Sequence, residues 1–407
     1  MDFTRREFLL TTGTSLMLPA LNTWAADKKT DEPEWSFAVY PDTQWKTNME
    51  APYHGTAIHI IDAMNTEVIR QKVDFVLEVG DLVQEPSPDA FRTRAKHNAA
   101  LRQAGIGFYP VRGNHDGRVA QDTYDFRKAF PELPGNPGRG GNSPALPNAA
   151  GLTYSYTHKG GKFILLDTFP IADDGSETGR AYTIRDYLPW MESELSKNDY
   201  RFAMVFAHKN LLGQNHKDNV FNDTKTDQDA PVEVQDAFFA LLQKYKVRYY
   251  LCGHDHMYHR SNVKSPNGHA EVCQIICGSA AHKFYTPQAP FLSRETPIAQ
   301  ELNRVGFLII RVKPNRLVFE YYSTEPFGTQ PAEPIWELRD LFGRTFDGRE
   351  FENPNPKLRR FVRPDTEETD NHGGVKPDMI SETKNPLSPE TVPLRYVRRL
   401  GLPVVQP

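Results

Sequence analysis

Five short segments of this 407-residue chain carry the residue types that hold metal ions: Pro41-Asp42-Thr43-Gln44, Glu78-Val79-Gly80-Asp81, Arg112-Gly113-Asn114-His115-Asp116, Ala207-His208 and Cys252-Gly253-His254-Asp255-His256. Aspartate, histidine and an asparagine amide oxygen form a mixed oxygen/nitrogen set without thiolate. Such a set suits divalent Mn, Fe, Zn or Mg and disfavours a structural zinc site of the cysteine type. The Asp, Asn and His residues of the five segments, with Gln44 beside the first, offer seven or so candidate ligands. They are too many for one cation, and one carboxylate can bridge two. Two divalent metal ions about 3.5–4 Å apart clamp the attacking and leaving oxygens of a displacement at phosphorus. They also lower the pKa of a bridging water, which supplies hydroxide near neutral pH. Taken singly, Gly-Asp reads as a turn and Asp-x-Gln as noise. The order of all five, each in the same structural setting, points to a metal site.

That setting is the end of a strand. Apolar runs at 36–40, 73–79, 108–111, 202–206 and 247–251 each lead into one of the five segments. Between them, 54–71 has helical spacing, with Ile58, Ile61, Met64 or Asn65, and Val68 on one side. Residues 88–104 read as one helix, with Pro88 near its start and Gly105 just past its end. Strand and helix in alternation predict a layered α/β fold, in which ligands gather outside the carboxyl ends of strands. Gly80, Gly113 and Gly253 precede the polar residues and are expected to let the chain turn sharply there. Further along, 152–157 and 162–166 form a hairpin around Lys159-Gly160-Gly161. Helices are expected at 187–195 and 232–245, and strands at 272–277, 306–312 and 317–322. Residues 118–150 and 213–231 read as long loops, the former after a short helix near 124–130. Past Tyr322 the chain turns rich in proline and charge. Domains are therefore expected at 35–324, with 325–407 an extension that wraps the domain or is partly disordered.

Lysine plus arginine number 48 and aspartate plus glutamate 52, a net charge of −4 that argues against stable nucleic-acid binding. No apolar run reaches the roughly eighteen residues of a transmembrane segment. Residues 1–26 resemble a twin-arginine export signal. Arg5-Arg6 is followed by Phe8-Leu9-Leu10, a weakly apolar stretch to Ala20, and small residues at Ala25 and Ala26. The twin-arginine export machinery is thus an expected partner, and a periplasmic or secreted location is expected. That route carries folded proteins with cofactors already bound, which suits a metal site. Of the three cysteines, Cys273 and Cys277 are four apart in one strand, about 13 Å by strand rise and too far to bridge. Pairing of Cys252 with either is geometrically open, and buried free thiols are the expectation.

Together, from Ser36 to Tyr322, the segments resemble the calcineurin-like metallophosphoesterase superfamily, whose pattern is Asp-x-His, Gly-Asp, Gly-Asn-His-Asp/Glu, a lone His and Gly-His-x-His. The resemblance implies a four-layer αββα sandwich, two mixed β-sheets face to face with helices outside. It implies that Asp42 and His256 bind a first metal, that Asp81 bridges, and that Asn114, His208 and His254 bind a second. It assigns His115 to the substrate phosphate and to protonation of the leaving oxygen. The departure is Gln44, where the pattern has histidine, and a neutral amide oxygen is the weaker donor. Gln84 stands where purple acid phosphatases carry a tyrosine, which argues against that subfamily. Arg112 can bind phosphate or pair with a carboxylate, and Asp116 can orient an imidazole or sit in a solvated loop. Trp45, Lys209 and Asn210 lie beside the motifs, in cleft or packing roles alike. Of the remaining histidines, His216, His259 and His282 are the ones expected nearest the cleft. The expected activity is hydrolysis of phosphomonoesters or phosphodiesters of small molecules, lipids or nucleotides by a metal-bridging hydroxide. A second reading is a degenerate metal-binding module that recognises a phosphorylated ligand without turnover, motivated by Gln44.

Overall fold

The computed structural model describes residues 33–45, 52–136, 138–171, 181–221, 230–281, 283–287, 294–327 and 330–352. The expected export signal at 1–26 lies outside them, as does 353–407.

Strands and helices alternate from the start: β1 (Trp35–Tyr40), α1 (Ile58–Arg70), β2 (Phe75–Glu78), α2 (Pro88–Lys96), α3 (Ala99–Gln103), β3 (Gly107–Pro110) and α4 (Ala120–Ala129). A hairpin of β4 (Tyr154–His158) and β5 (Gly161–Leu166) follows, then α5 (Ile184–Ser196), β6 (Phe202–Ala207), α6 (Val232–Lys244) and β7 (Tyr249–Cys252). Seven strands close the described chain: β8 (Met257–Lys264), β9 (Glu271–Gly278), β10 (Glu295–Glu301), β11 (Val305–Val312), β12 (Arg316–Thr324), β13 (Glu337–Thr345) and β14 (Glu350–Glu352). They form two seven-stranded sheets, ordered β14-β13-β12-β11-β1-β2-β3 and β10-β8-β9-β7-β6-β5-β4. Both are mixed. β1, β2 and β3 run parallel while β11 is antiparallel to β1; β5, β6, β7 and β9 run parallel while β8 is antiparallel to β9.

The alternation along β1 shows the layering. Phe37 and Val39 join a buried cluster with Phe163, Met204 and Phe206 of the other sheet. Their neighbours Ala38 and Tyr40 join a second cluster with Ile60, Met64 and Val68 of α1. A strand buried on both faces reads as a continuous apolar run, and each large side chain so buried contributes about 1.5–3 kcal/mol. The protein is therefore the expected α/β sandwich of two mixed sheets flanked by helices.

Several elements depart from the sequence expectation. The helix expected over 88–104 is two, capped at its start by Ser87 accepting from Ala90 N (3.1 Å) and broken at His97-Asn98. There Asn65 Nδ2 donates to the His97 carbonyl (2.7 Å), and Asn98 Oδ1 accepts from buried Arg94 (2.6 Å). Strands β8, β10, β13 and β14 were not expected; in the first three, buried ion pairs interrupt the apolar alternation. Arg260 of β8 pairs with Asp340 of β13 (2.9 Å), Tyr258 donates to the same carboxylate (2.7 Å), and His259 lies 2.8 Å from Glu295 of β10. Strands β13 and β14 carry the first sheet past residue 324, into the region read as an extension. All three cysteines are free and buried. Among the described residues no helix is long and apolar enough to cross a membrane.

Candidate metal centre

β1, β2, β3, β6 and β7 end at the same pole, and the five segments meet there. Asp81, His208 and His254 form one buried group whose ligand atoms lie within 4.8 Å of one another, and Asp42, Asp81 and His256 form a second. Asp81 belongs to both. Asn114 Oδ1 lies 3.0 Å from His208 Nε2, beside the first group.

Close approach sets the backbone here. A Cβ on Gly113 would collide with Asp81 Oδ1, and one on Gly253 would lie 2.5 Å from Asp42 Oδ2. These glycines make room for a ligand from another strand end; neither has a positive φ, unlike Gly80 at +97°. Three of the acidic and imidazole residues are themselves left-handed: Asp81 at φ +55°, His254 at +71° and His256 at +44°. Such backbone is strained in non-glycine residues and persists only where surrounding structure imposes it.

Each imidazole is held by one nitrogen, which leaves the other for the cluster. His208 Nδ1 lies 2.9 Å from the Val79 carbonyl, so Nε2 faces Asn114 Oδ1, His254 Nδ1 (3.2 Å) and Asp81 Oδ2 (3.4 Å). His256 Nδ1 lies 3.0 Å from the Lys283 carbonyl, so Nε2 faces Asp42 Oδ1 (3.5 Å). His254 is reversed, with Nε2 on Asp218 Oδ1 (3.0 Å) and Nδ1 inward. Outer partners of this kind fix tautomer and ring orientation in metal sites. The carboxylates are held by backbone: His254 N donates to Asp42 Oδ1 (3.0 Å) and His115 N to Asp81 Oδ1 (2.9 Å). Asp42 Oδ2 is buried with no hydrogen bond. A buried carboxylate oxygen without a donor is costly, and a cation removes that cost. The residues present therefore fit divalent metal.

The protonation states tell the same story. Burial lifts the Asp42 carboxyl to about 7, the Asp81 charge adds to this, and His208 opposes it. Burial disfavours charge on His208, yet Asp81 and Asp42 carry its pKa up to about 9. Burial would also raise Asp81, but the imidazoles of His208 and His115 hold it well below the usual carboxylate range. A proton on His208 thus occupies the charge balance that a cation would otherwise supply. Burial and the neighbouring His216 lower His254 to about 4, so it is neutral and ready to ligate.

The structure brings Asp42, Asp81, Asn114, His208, His254 and His256 into one cluster, and Gln44 to its edge. The Gln44 amide has one terminal atom 2.9 Å from Asp81 Oδ2, and the other 3.3 Å from Lys283 Nζ and 3.4 Å from His256 Nε2. Hydrogen bonding puts the nitrogen on Asp81 and the oxygen on Lys283. His115 borders the cluster, its Nδ1 within 2.8 Å of the Gln84 carbonyl and 2.9 Å of Arg118 Nη2. A carbonyl only accepts and a guanidinium only donates. Nδ1 can satisfy one at a time, donating to the carbonyl or accepting from the guanidinium.

Arg112 takes the carboxylate alternative and not the substrate one. It is buried with Nε 2.6 Å from Asp167 Oδ2, and its remaining nitrogens meet Thr123, Asp167 Oδ1 and the Pro170 carbonyl. Asp116 takes neither expected role; its carboxylate accepts from the backbone of Leu82, Val83 and Gly113, tying two ligand loops together. Trp45 packs in the helix-side core. Asn210 Nδ2 donates to the Gly253 carbonyl (3.2 Å), and Lys209 pairs with Asp218 (2.9 Å). His216 does border the cluster, stacked on His254 with centroids 4.0 Å apart. His259 does not, being buried against Glu295, and His282 lies outside the described residues. Asp218, Arg118 and Lys283 were missed. No spacing marks them, since each reaches the centre from a loop.

A model of the calcineurin-like phosphoesterase family matches residues 37–258. Two uncharacterized proteins from strains of Mycobacterium tuberculosis are 26% identical over 161 residues, 38% of this chain and 27% of theirs. The chain thus spans about a quarter of the length of the curated relatives it matches. A solved structure of PhoD superposes with a TM-score of 0.53 at 15% identity, covering 78% of this chain and 72% of that one. A purple acid phosphatase from yellow lupin seeds gives 0.47 at 14% identity over 79% and 53%. The first of these shows the likeness of fold.

Proposed function

The chain belongs to the calcineurin-like phosphoesterase family, and from that premise we propose that it is an exported, dinuclear metal-dependent phosphoesterase. The observation that carries this reading is Asp81, one carboxylate common to two buried ligand groups. Asp42 and His256 would hold a first cation and Asn114, His208 and His254 a second, with Asp81 common to both ligand groups. Divalent cations bound there would supply charge against the phosphoryl oxygens and acidify a water. The chain's own residues do the rest. The Val79 and Lys283 carbonyls and the Asp218 carboxylate aim the three imidazoles. Asp116 holds the loops of Asp81 and Asn114 in register. His115, whose pKa burial and the nearby charges of Lys283 and Arg118 lower, would give a proton from its imidazolium form to the leaving oxygen and be left as neutral imidazole. The substrate is a phosphomonoester or phosphodiester, and the twin-arginine-type residues at 1–26 would export the folded, metal-loaded chain.

The test is hydrolysis of a chromogenic phosphodiester and its monoester by the purified chain supplied with Mn²⁺. Turnover of either ester that chelation abolishes supports the reading, and the faster ester sets the substrate class. Gln44, with its amide nitrogen on Asp81, favours one alternative: a module that holds a single cation and recognises a phosphorylated ligand without turnover. Folded protein with one metal per chain and no turnover would replace the enzyme with that module.

A further inference from the structure

Lys283 lies in the loop after β9 and is tied to the centre twice. Its carbonyl accepts from His256 Nδ1 (3.0 Å) and from Ser279 Oγ (2.9 Å), so its backbone position is set by the imidazole it orients. From that anchor the side chain runs past the Tyr285 ring, with Nζ 5.0 Å from the centroid, to within 3.3 Å of the Gln44 amide. The ring stands edge-on to His256 (5.1 Å, 90°) and to His216 (4.9 Å, 89°), a wall along one side of the cluster. The ammonium's charge reaches both His256 and His115, whose pKa values it helps to lower.

Resting on the phosphoesterase reading, we infer that Lys283 is a substrate-binding residue whose ammonium holds a non-bridging phosphoryl oxygen on the Asp42–His256 side. Gln44 is what permits it. The amide spans from Asp81 to Lys283, donating to the carboxylate and offering its oxygen to the ammonium. An imidazole at position 44, with one nitrogen on a metal, would carry N–H on the other and offer that ammonium no acceptor. The exchange of histidine for glutamine therefore trades a ligand's donor strength for a cation placed beside the metals. An ammonium there binds a phosphoryl oxygen by a charge-assisted hydrogen bond. It also favours substrates with a free anionic oxygen on that side.

Three variants of the full-length chain test this: Lys283→Met, Lys283→Arg and Gln44→His. Inorganic phosphate is the probe, titrated calorimetrically into Mn²⁺-loaded protein, with metal content per chain measured alongside. Lys283→Met should weaken phosphate binding by about tenfold to a hundredfold, the loss of one hydrogen bond to a charged group, at unchanged metal content. Lys283→Arg should recover most of the affinity. With the better ester substrate, KM should rise more than kcat falls. Gln44→His should tighten metal and weaken phosphate. Phosphate binding by Lys283→Met equal to the native value, in a native protein that hydrolyses ester, overturns the role of Lys283 and leaves the enzyme standing. Native protein that takes up metal but neither binds phosphate nor turns over ester overturns both.

Discussion

The same strands end in opposite chemistry. β1, β2, β6 and β7 begin at Trp35, Phe75, Phe202 and Tyr249, and lead into Asp42, Asp81, His208 and His254. At the starting pole rings pack on rings. Phe37 and Phe75 stack at 5.1 Å, and Phe163 of the other sheet stands edge-on to both, at 5.1 and 5.2 Å. Trp35 lies 6.3 Å from Phe202, and Tyr249 4.4 Å from Phe319. Each ring there gains from leaving water and from its neighbours. At the finishing pole, carboxylates and imidazoles are buried, three of them on left-handed backbone, and Asp42 Oδ2 has no donor. Those features oppose folding and need a rigid support. One pole holds the strands, and the other uses that rigidity to keep charges where water would otherwise separate them.

Removing a group at each pole should therefore give opposite results. The largest effect expected is on turnover in Asp81→Asn, which loses the shared carboxylate. Ester hydrolysis should fall by about a hundredfold to a thousandfold, as when a main electrostatic group leaves an active site. The metal-free variant should unfold within a few degrees of native, since His208 can shed its proton and leave no stranded charge. A turnover assay beside a thermal melt checks this, and retained turnover would remove Asp81 from the centre. At the other pole, Phe163→Ala takes away the ring shared by Phe37, Phe75, Tyr156 and Phe202. It should cost about 3–5 kcal/mol in denaturant unfolding while turnover per folded molecule stays unchanged. A large loss of turnover in folded protein would mean the poles are coupled.

The smallest effect is graded, and belongs to the ligand pole alone. A cation must displace the proton on His208, whose pKa lies near 9, and below about 7 the one on Asp42 as well. Metal affinity should rise about tenfold per pH unit between 7 and 9, and more steeply below 7. The metal-free protein should move the other way. The folded pKa of His208 is raised, so its ion pair contributes fully below about 6.5 and is lost as pH rises through 9. Competition with a metal indicator and pH-dependent melts of metal-free protein measure the two slopes. A flat metal affinity from 7 to 9 would mean that His208 is not protonated in the metal-free state.

Side-chain chemistry and chain order were enough to find the cluster. Asp42, Asp81, Asn114, His208, His254 and His256 could be named before any coordinates: strand ends of parallel sheets share a pole, and the resemblance to the metallophosphoesterase pattern picked these from the other polar residues there. The alternation of strand and helix was legible too, since burial on both faces leaves long apolar runs. β8 and β13 were not legible, because Arg260, Tyr258 and Asp340 satisfy one another across two strands and look exposed when read singly.

What the residues alone determined about this protein is which atoms can bind metal, since that capacity belongs to the side chain itself. Tertiary structure decided which way those atoms face and what the nearby charges do. Arg112 pairs with Asp167, 55 positions away, so it is not a phosphate ligand. His254 turns Nδ1 inward because Asp218 takes Nε2. Gln44 meets Lys283 only because the loop after β9 folds back onto His256. A hydrogen bond or an ion pair acts over a few ångströms, and the chain segments that come that close are chosen by packing.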